Sequence, residues 1–125
     1  MSYSVTVLDL TVIDQEDDTY RITTPTAVDD LAVSIRHAGL INPPILFKKQ
    51  DRYRIVAGFR RIAAMQQLNC RQISARVMPM ESSALECSRV TIADNTSQRK
   101  LDLLEVSRAL ALLDACVEDR EYLFK

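Results

Sequence analysis

The sixteen residues YRIVAGFRRIAAMQQL, positions 53–68, constrain the fold of this chain more than any other stretch. The apolar run ending in Val56 and Ala57 meets Gly58, and from there apolar residues recur at helical spacing. A strand therefore passes into a helix across one glycine, which calls for a sheet with a helix packed on it. Arg60 and Arg61 fall in the first helical turn, where backbone N–H groups lack intrahelical partners and the helix dipole is positive. Two cations are slightly unfavourable at that end, so an anion is what the arrangement suits: free N–H donors, a glycine that lets a phosphate come close, and two guanidinium groups able to grip it. The plain alternative is a strand-ending glycine followed by two surface arginines paired with carboxylates elsewhere.

Charge along the chain supports a local site more than a general one. The net charge is −1, yet residues 9–30 hold seven acids (Asp9, Asp14, Glu16, Asp17, Asp18, Asp29, Asp30) against Arg21 alone. Residues 48–76 hold eight bases against Asp51 alone. A basic segment inside a near-neutral chain points to one anion site or to a solvated charged face, and does not imply bulk nucleic-acid binding. No uncharged apolar run is long enough for a membrane span and no secretory leader is visible, so a cytoplasmic location is expected. Cys70, Cys87 and Cys116 are widely spaced, with no CxxC and one histidine in the chain, His37. They are expected to be reduced thiols in or near the core, and His37 to lie at a helix surface.

The pattern predicts an α+β fold of one domain over residues 1–125, with sheet and helices to about 80 and a helical part from about 81. SVTVLDLTVI (4–13) reads as a strand, DQEDDT as a turn and YRITT (20–24) as a short extended piece ending before Pro25. Thr26 with Asp29 resembles a capping box, opening a helix whose Leu31, Ile35 and Ala38 share a face and which stops at Gly39. ILFKK and YRIVA form a hairpin-like pair, Asn69 caps the helix after Gly58, and ISARVM is a further strand. Two helices follow, broken near NTSQRK, with Asp102 capping the second.

Two further clusters carry polar chemistry. ADNTSQRK sets Asp94 and Asn95, oxygen ligands of the kind that hold Mg²⁺ beside a phosphate, near Gln98 and Arg99. By themselves these residues also read as helix-ending chemistry. The turn Gly39-Leu40-Ile41-Asn42-Pro43 could edge a pocket or merely join a helix to a strand.

Taken together, LAVSIRHAGLINPPILF, YRIVAGFRRIAA and DNTSQRKLDLLEVSRAL resemble, in order and spacing over about residues 20–113, the boxes of the ParB N-terminal domain, of the ParB/sulfiredoxin fold and also called ParB-like nuclease. The resemblance implies a CTP pocket with Mg²⁺ in a protein of chromosome or plasmid partition. By position, Gly58, Arg60, Arg61, Gln98 and Arg99 would contact phosphate, and Asn95 with Asp94 would hold the metal. Arg21, Thr23, Gly39, Leu40, Asn42 and Pro43 would lie near base and sugar. It also implies a homodimer, with Leu103, Val106, Leu110 and Leu113 an apolar stripe serving either core or dimer face, and a DNA-reading helix-turn-helix domain beyond residue 125.

Three positions depart from the family pattern: Phe59 stands where the family has an acid, Asp94 where it has Glu, and Gln98 where it has Arg. No catalytic residue is assigned, and weak CTP hydrolysis stays open. Sulfiredoxin activity is not expected, since the turn lacks the cysteine, and nuclease activity lacks a carboxylate or histidine cluster in residues 48–76. The competing expectation is a scaffold module that keeps the fold without a nucleotide.

Overall fold

A computed structural model describes residues 3–23, 27–39, 42–96 and 100–123, with only the helical backbone described over 117–123. The strands are β1 (Ser4–Asp9), β2 (Ile13–Asp14), β3 (Ile45–Lys49), β4 (Arg52–Ala57) and β5 (Gln72–Val77). The helices are α1 (Asp29–Ala38), α2 (Phe59–Gln67), α3 (Ala84–Thr96) and α4 (Leu103–Leu123). The sheet runs β1-β5-β3-β4-β2. Its β1–β5 and β3–β4 pairs are antiparallel, and its β5–β3 and β4–β2 pairs parallel. This is the α+β class expected from the sequence.

Helices cover both faces. On one, Val28, Ala32 and Ile35 with Phe59, Ile62 and Met65 pack on Leu46, Ile55 and Ile73. On the other, Cys87, Val90 and Leu112 meet Ile45, Val56 and Ala57. Among the described residues no helix is long and apolar enough to cross a membrane.

Several local expectations change. The single strand over 4–13 is two strands at opposite edges of the sheet, because a 3-10 turn at Leu10–Val12 buries Leu10 and carries the chain across. YRITT is not a strand where described: Tyr20 and Ile22 are buried but irregular, and their carbonyls accept hydrogen bonds from Thr91 Oγ1 (3.2 Å) and Arg108 Nη1 (3.1 Å). Backbone acceptors that α3 and α4 satisfy have no need of a strand partner. On α1, Leu31 and Ile35 pack inward as expected, with Ala32 and the N-cap residue Val28, while Ala38 is exposed. Thr26 lies outside the described residues, so the capping box does too.

Gly39 and Asn69 end α1 and α2 with positive φ, as expected. Asp102 and Glu105 form a reciprocal box at the start of α4: Glu105 N donates to Asp102 Oδ1 (2.8 Å) and Asp102 N to Glu105 Oε1 (3.0 Å). The expected stripe on α4 faces outward at its start, with Leu103, Val106 and Leu110 exposed, whereas Glu105 and Ala109 are buried.

Candidate functional site

Where β4 ends, Ile45 pairs with Ala57 but Leu46 with Ile55, so Val56 is an extra residue in the ladder. Such a bulge re-aims the strand end, and here Val56 and Ala57 both join the core under α3. Gly58 then takes a left-handed conformation (φ 101°, ψ 29°) and caps α2. Its carbonyl accepts the first helical hydrogen bond, from Ile62 N at 3.0 Å. The N–H groups of that first turn therefore open beside the ends of α1 and α3.

They border a cleft of about 260 Å³. The structure brings together on its wall Thr23, Gly39, Asn42, Gly58, Arg60, Arg61, Asp94 and Asn95, eight of the residues picked out from sequence. Leu40, Gln98 and Arg99 lie outside the described residues. Pro43 and Arg21 are not on its wall: the Pro43 carbonyl accepts from Arg61, and the Arg21 guanidinium lies over the Phe59 ring. Ile22, Leu31, Ser34 and Ile35 also line the cleft and were not anticipated as site residues: an apolar residue facing a pocket reads in sequence like one facing the core, and Ser34 is a lone hydroxyl on a helix.

The two adjacent arginines have different surroundings. Arg61 is a cross-link: Nη1 donates to Asn42 O (2.8 Å) and Pro43 O (3.3 Å), and Nη2 to Asp94 Oδ2 (2.7 Å). It thereby ties α2 to the loop after α1 and to the last turn of α3. Arg60 is exposed and makes one long contact, from Nη2 to Ala27 O at 3.4 Å. Arg60 thus has the freer guanidinium to offer a ligand, and Arg61 is already aimed.

Phe59, in place of the family's acid, is buried, and the Arg21 guanidinium sits 5.1 Å from its ring centre. Arg21 Nε also donates to Thr23 O at 3.2 Å. Burial lowers the Arg21 pKa, the like charge of Arg108 adds to this, and Asp18 opposes it. Arginine stays charged at neutral pH regardless. A ring face holds that cation without neutralising it, so positive charge is kept beside Phe59, which lines the cleft.

Asn95 donates from Nδ2 to Thr91 O (2.7 Å) and Thr91 Oγ1 (3.3 Å), which turns its amide nitrogen back onto α3 and leaves Oδ1 as an acceptor. Among the described residues no three His, Cys, Asp or Glu side chains converge to hold a metal. One carboxylate and one amide oxygen are too few for a closed metal cage. They fit Mg²⁺ that takes its other ligands from phosphate and water.

Part of the charge segregation is internal pairing, the plain alternative for surface bases. Lys49 Nζ reaches Asp14 (3.1 Å) and Asp17 (2.6 Å), and Arg54 Nε reaches Asp17 at 2.8 Å. Burial would raise the Asp17 pKa, but hydrogen bonds from Lys49, Thr19 and Arg54 outweigh it and hold the carboxyl well below the usual range. This cluster anchors the segment that carries Arg21 and Thr23.

Residues 2–96 match the family described as ParB N-terminal domain. The chain belongs to that family. A probable chromosome-partitioning protein ParB of Campylobacter jejuni is 31% identical over 83 residues, 66% of this chain and 29% of that protein. The chain thus matches less than a third of the length of this relative.

Among solved structures, a Pnob8-like ParB-N domain superposes with TM-score 0.70 at 16% identity, over 99% of this chain and 49% of that one. A C-terminally truncated chromosome-partitioning protein ParB from Caulobacter crescentus, complexed with CTP-γ-S, gives 0.62 at 24% identity, over 92% and 65%. Sulfiredoxin from Arabidopsis thaliana gives 0.51 at 25% identity, over 60% and 84%. The fold is ParB/sulfiredoxin-like, as the sequence boxes imply.

Proposed function

We propose that this domain binds CTP with Mg²⁺ and that occupancy governs how two subunits of a partition protein associate. The observation that carries the reading is the convergence of Gly58, Arg60 and Arg61 with Asp94 and Asn95 around one cleft, although the two boxes are about 33 residues apart. The α2 N-terminus and Arg60 supply donors for phosphate, Asp94 and Asn95 supply oxygens for the metal, and Gly39, Asn42 and Thr23 form the rim where base and sugar would rest. The solved relative with CTP-γ-S has the same fold and supports the choice of ligand.

The exposed Leu103, Val106 and Leu110 on α4 supply a face for a second copy. DNA contact would fall to a helix-turn-helix domain following residue 125.

The test is calorimetric titration with CTP, UTP, ATP and GTP, with and without Mg²⁺, on the native chain and on Arg60→Ala. CTP binding is expected to weaken about tenfold or more in the variant, the scale of a lost charge-assisted contact. Folding stability should move by less than about 0.5 kcal/mol, since Arg60 is exposed. No binding of any nucleotide by the native chain would favour the scaffold reading, to which the pairing of Arg61 with Asp94 inside the protein lends support.

A further inference from the structure

We infer that β1 pairs edge to edge with β1 of a second copy of this chain, in a register set by Val5 and Val7. β1 ends the sheet, with β5 as its neighbour on one side. Leu10 N donates to Arg71 O (3.0 Å) where this antiparallel ladder closes. Such ladders alternate, so Thr6 and Leu8 direct their backbone groups at β5, and Val5, Val7 and Asp9 direct theirs outward. The side chains are open as well. Val5 is 71% and Val7 63% exposed, and Arg76 and Ser74, their partners on β5, are exposed too. Among the described residues no helix covers this corner of the sheet, whereas Leu8, on the opposite face, packs against the core.

An open sheet edge ordinarily carries a guard: a lysine, a proline, a bulge or a very short strand. β2, at the other edge, is two residues long. β1 has none of these devices. It runs as SVTVLD in unbroken register, with Asp9 at its end as its one charge.

The edge is complementary to itself. A twofold axis at Thr6 sets Val5 opposite Val7 of the second copy and Val7 opposite its Val5, so the exposed valines pair while the outward backbone groups at both positions exchange hydrogen bonds. Asp9 then falls opposite Tyr3 of the second copy, and the two Asp9 carboxylates lie at opposite ends of the seam. Moving the axis to Val7 would set Val5 against Asp9, and moving it to Asp9 would bring the two carboxylates face to face. Moving it to Val5 would leave Leu8 and Asp9 beyond the start of the other strand. Apolar pairing and charge select the same register. This seam is separate from the α4 face and needs no nucleotide.

The experiment is sedimentation equilibrium without nucleotide on the native chain, on Val5→Lys with Val7→Lys, and on Val106→Lys with Leu110→Lys. The average mass of the native chain should climb toward twice that of one chain as concentration reaches about 0.5 mM, since a seam this small belongs with weak interfaces below about 1,200 Å². The β1 variant should stay at one chain while melting in one cooperative transition, and the α4 variant should associate like the native chain. Disulfide trapping reads the register. Thr6 on the axis is a non-hydrogen-bonded pair with Cα atoms about 4.5 Å apart, within disulfide reach. Thr6→Cys should therefore cross-link two chains on copper-catalysed air oxidation, and neither Ser4→Cys nor the native chain should. Trapping also reads the contact if the lysines disturb the fold.

A native chain that stays at one chain at that concentration would overturn the inference. So would a folded β1 variant that associates like the native chain, or association lost in the α4 variant alone. Cross-linking through Ser4→Cys as readily as through Thr6→Cys would overturn the register.

Discussion

Gly58→Ala should destabilise this domain well beyond an ordinary glycine replacement. A Cβ built at Gly58 would stand 2.7 Å from Pro44 Cβ and 3.0 Å from Pro44 Cα, with φ at +101°. The left-handed backbone alone costs about 1–2 kcal/mol for a non-glycine residue. Pro44 cannot yield cheaply: its ring is rigid and fully buried, and its carbonyl accepts from Arg76 N at 2.9 Å, fixing it to β5. Overpacking of this kind adds about 1–3 kcal/mol, for a total of about 2–5 kcal/mol and a fall in Tm on the order of 10–20 °C.

Urea unfolding of the native chain, Gly58→Ala, Pro44→Gly and the double variant would measure this. Removing the Pro44 Cβ should recover about 1 kcal/mol in the double-mutant cycle, because the two positions touch. A loss below about 1 kcal/mol in Gly58→Ala, against the sum of strain and overpacking, would refute the reasoning. So would strict additivity in the cycle.

Two further predictions test other parts of the molecule. The folded-state pKa of Asp17 lies below its ordinary 3.8, so its stabilisation is full above that value and is lost as pH falls below it. The urea midpoint of the native chain should therefore drop more between about pH 5 and about pH 3 than that of Asp17→Asn, and equal drops would contradict the pairing with Lys49 and Arg54. On α4, Val106→Lys with Leu110→Lys should abolish nucleotide-dependent self-association in sedimentation while changing folding stability by less than about 0.5 kcal/mol, since both positions are exposed.

Much of the candidate site was legible in the sequence because its parts are local. Gly58 between an apolar run and a helical repeat states a strand-to-helix turn, Gly39 a helix stop, and Asp102 with Glu105 a helix start. Each depends on backbone preferences that act over a few residues. The resemblance in three boxes then named residues that do meet at one cleft.

What the sequence could not assign was partner choice. Arg60 and Arg61 are indistinguishable as letters, yet one spans three elements as a clamp and the other stands open, because the Val56 bulge and the helix rotation aim them apart. Lys49 and Arg54 looked like members of an anion-binding stretch until the turn at Leu10–Val12 brought Asp17 over them. Phe59 looked like a lost carboxylate, and tertiary packing made it the ring that holds Arg21. Local conformation follows from steric and hydrogen-bonding rules written into neighbouring residues, whereas ion pairs and ring contacts join positions far apart in the chain and exist only once the fold has brought them together.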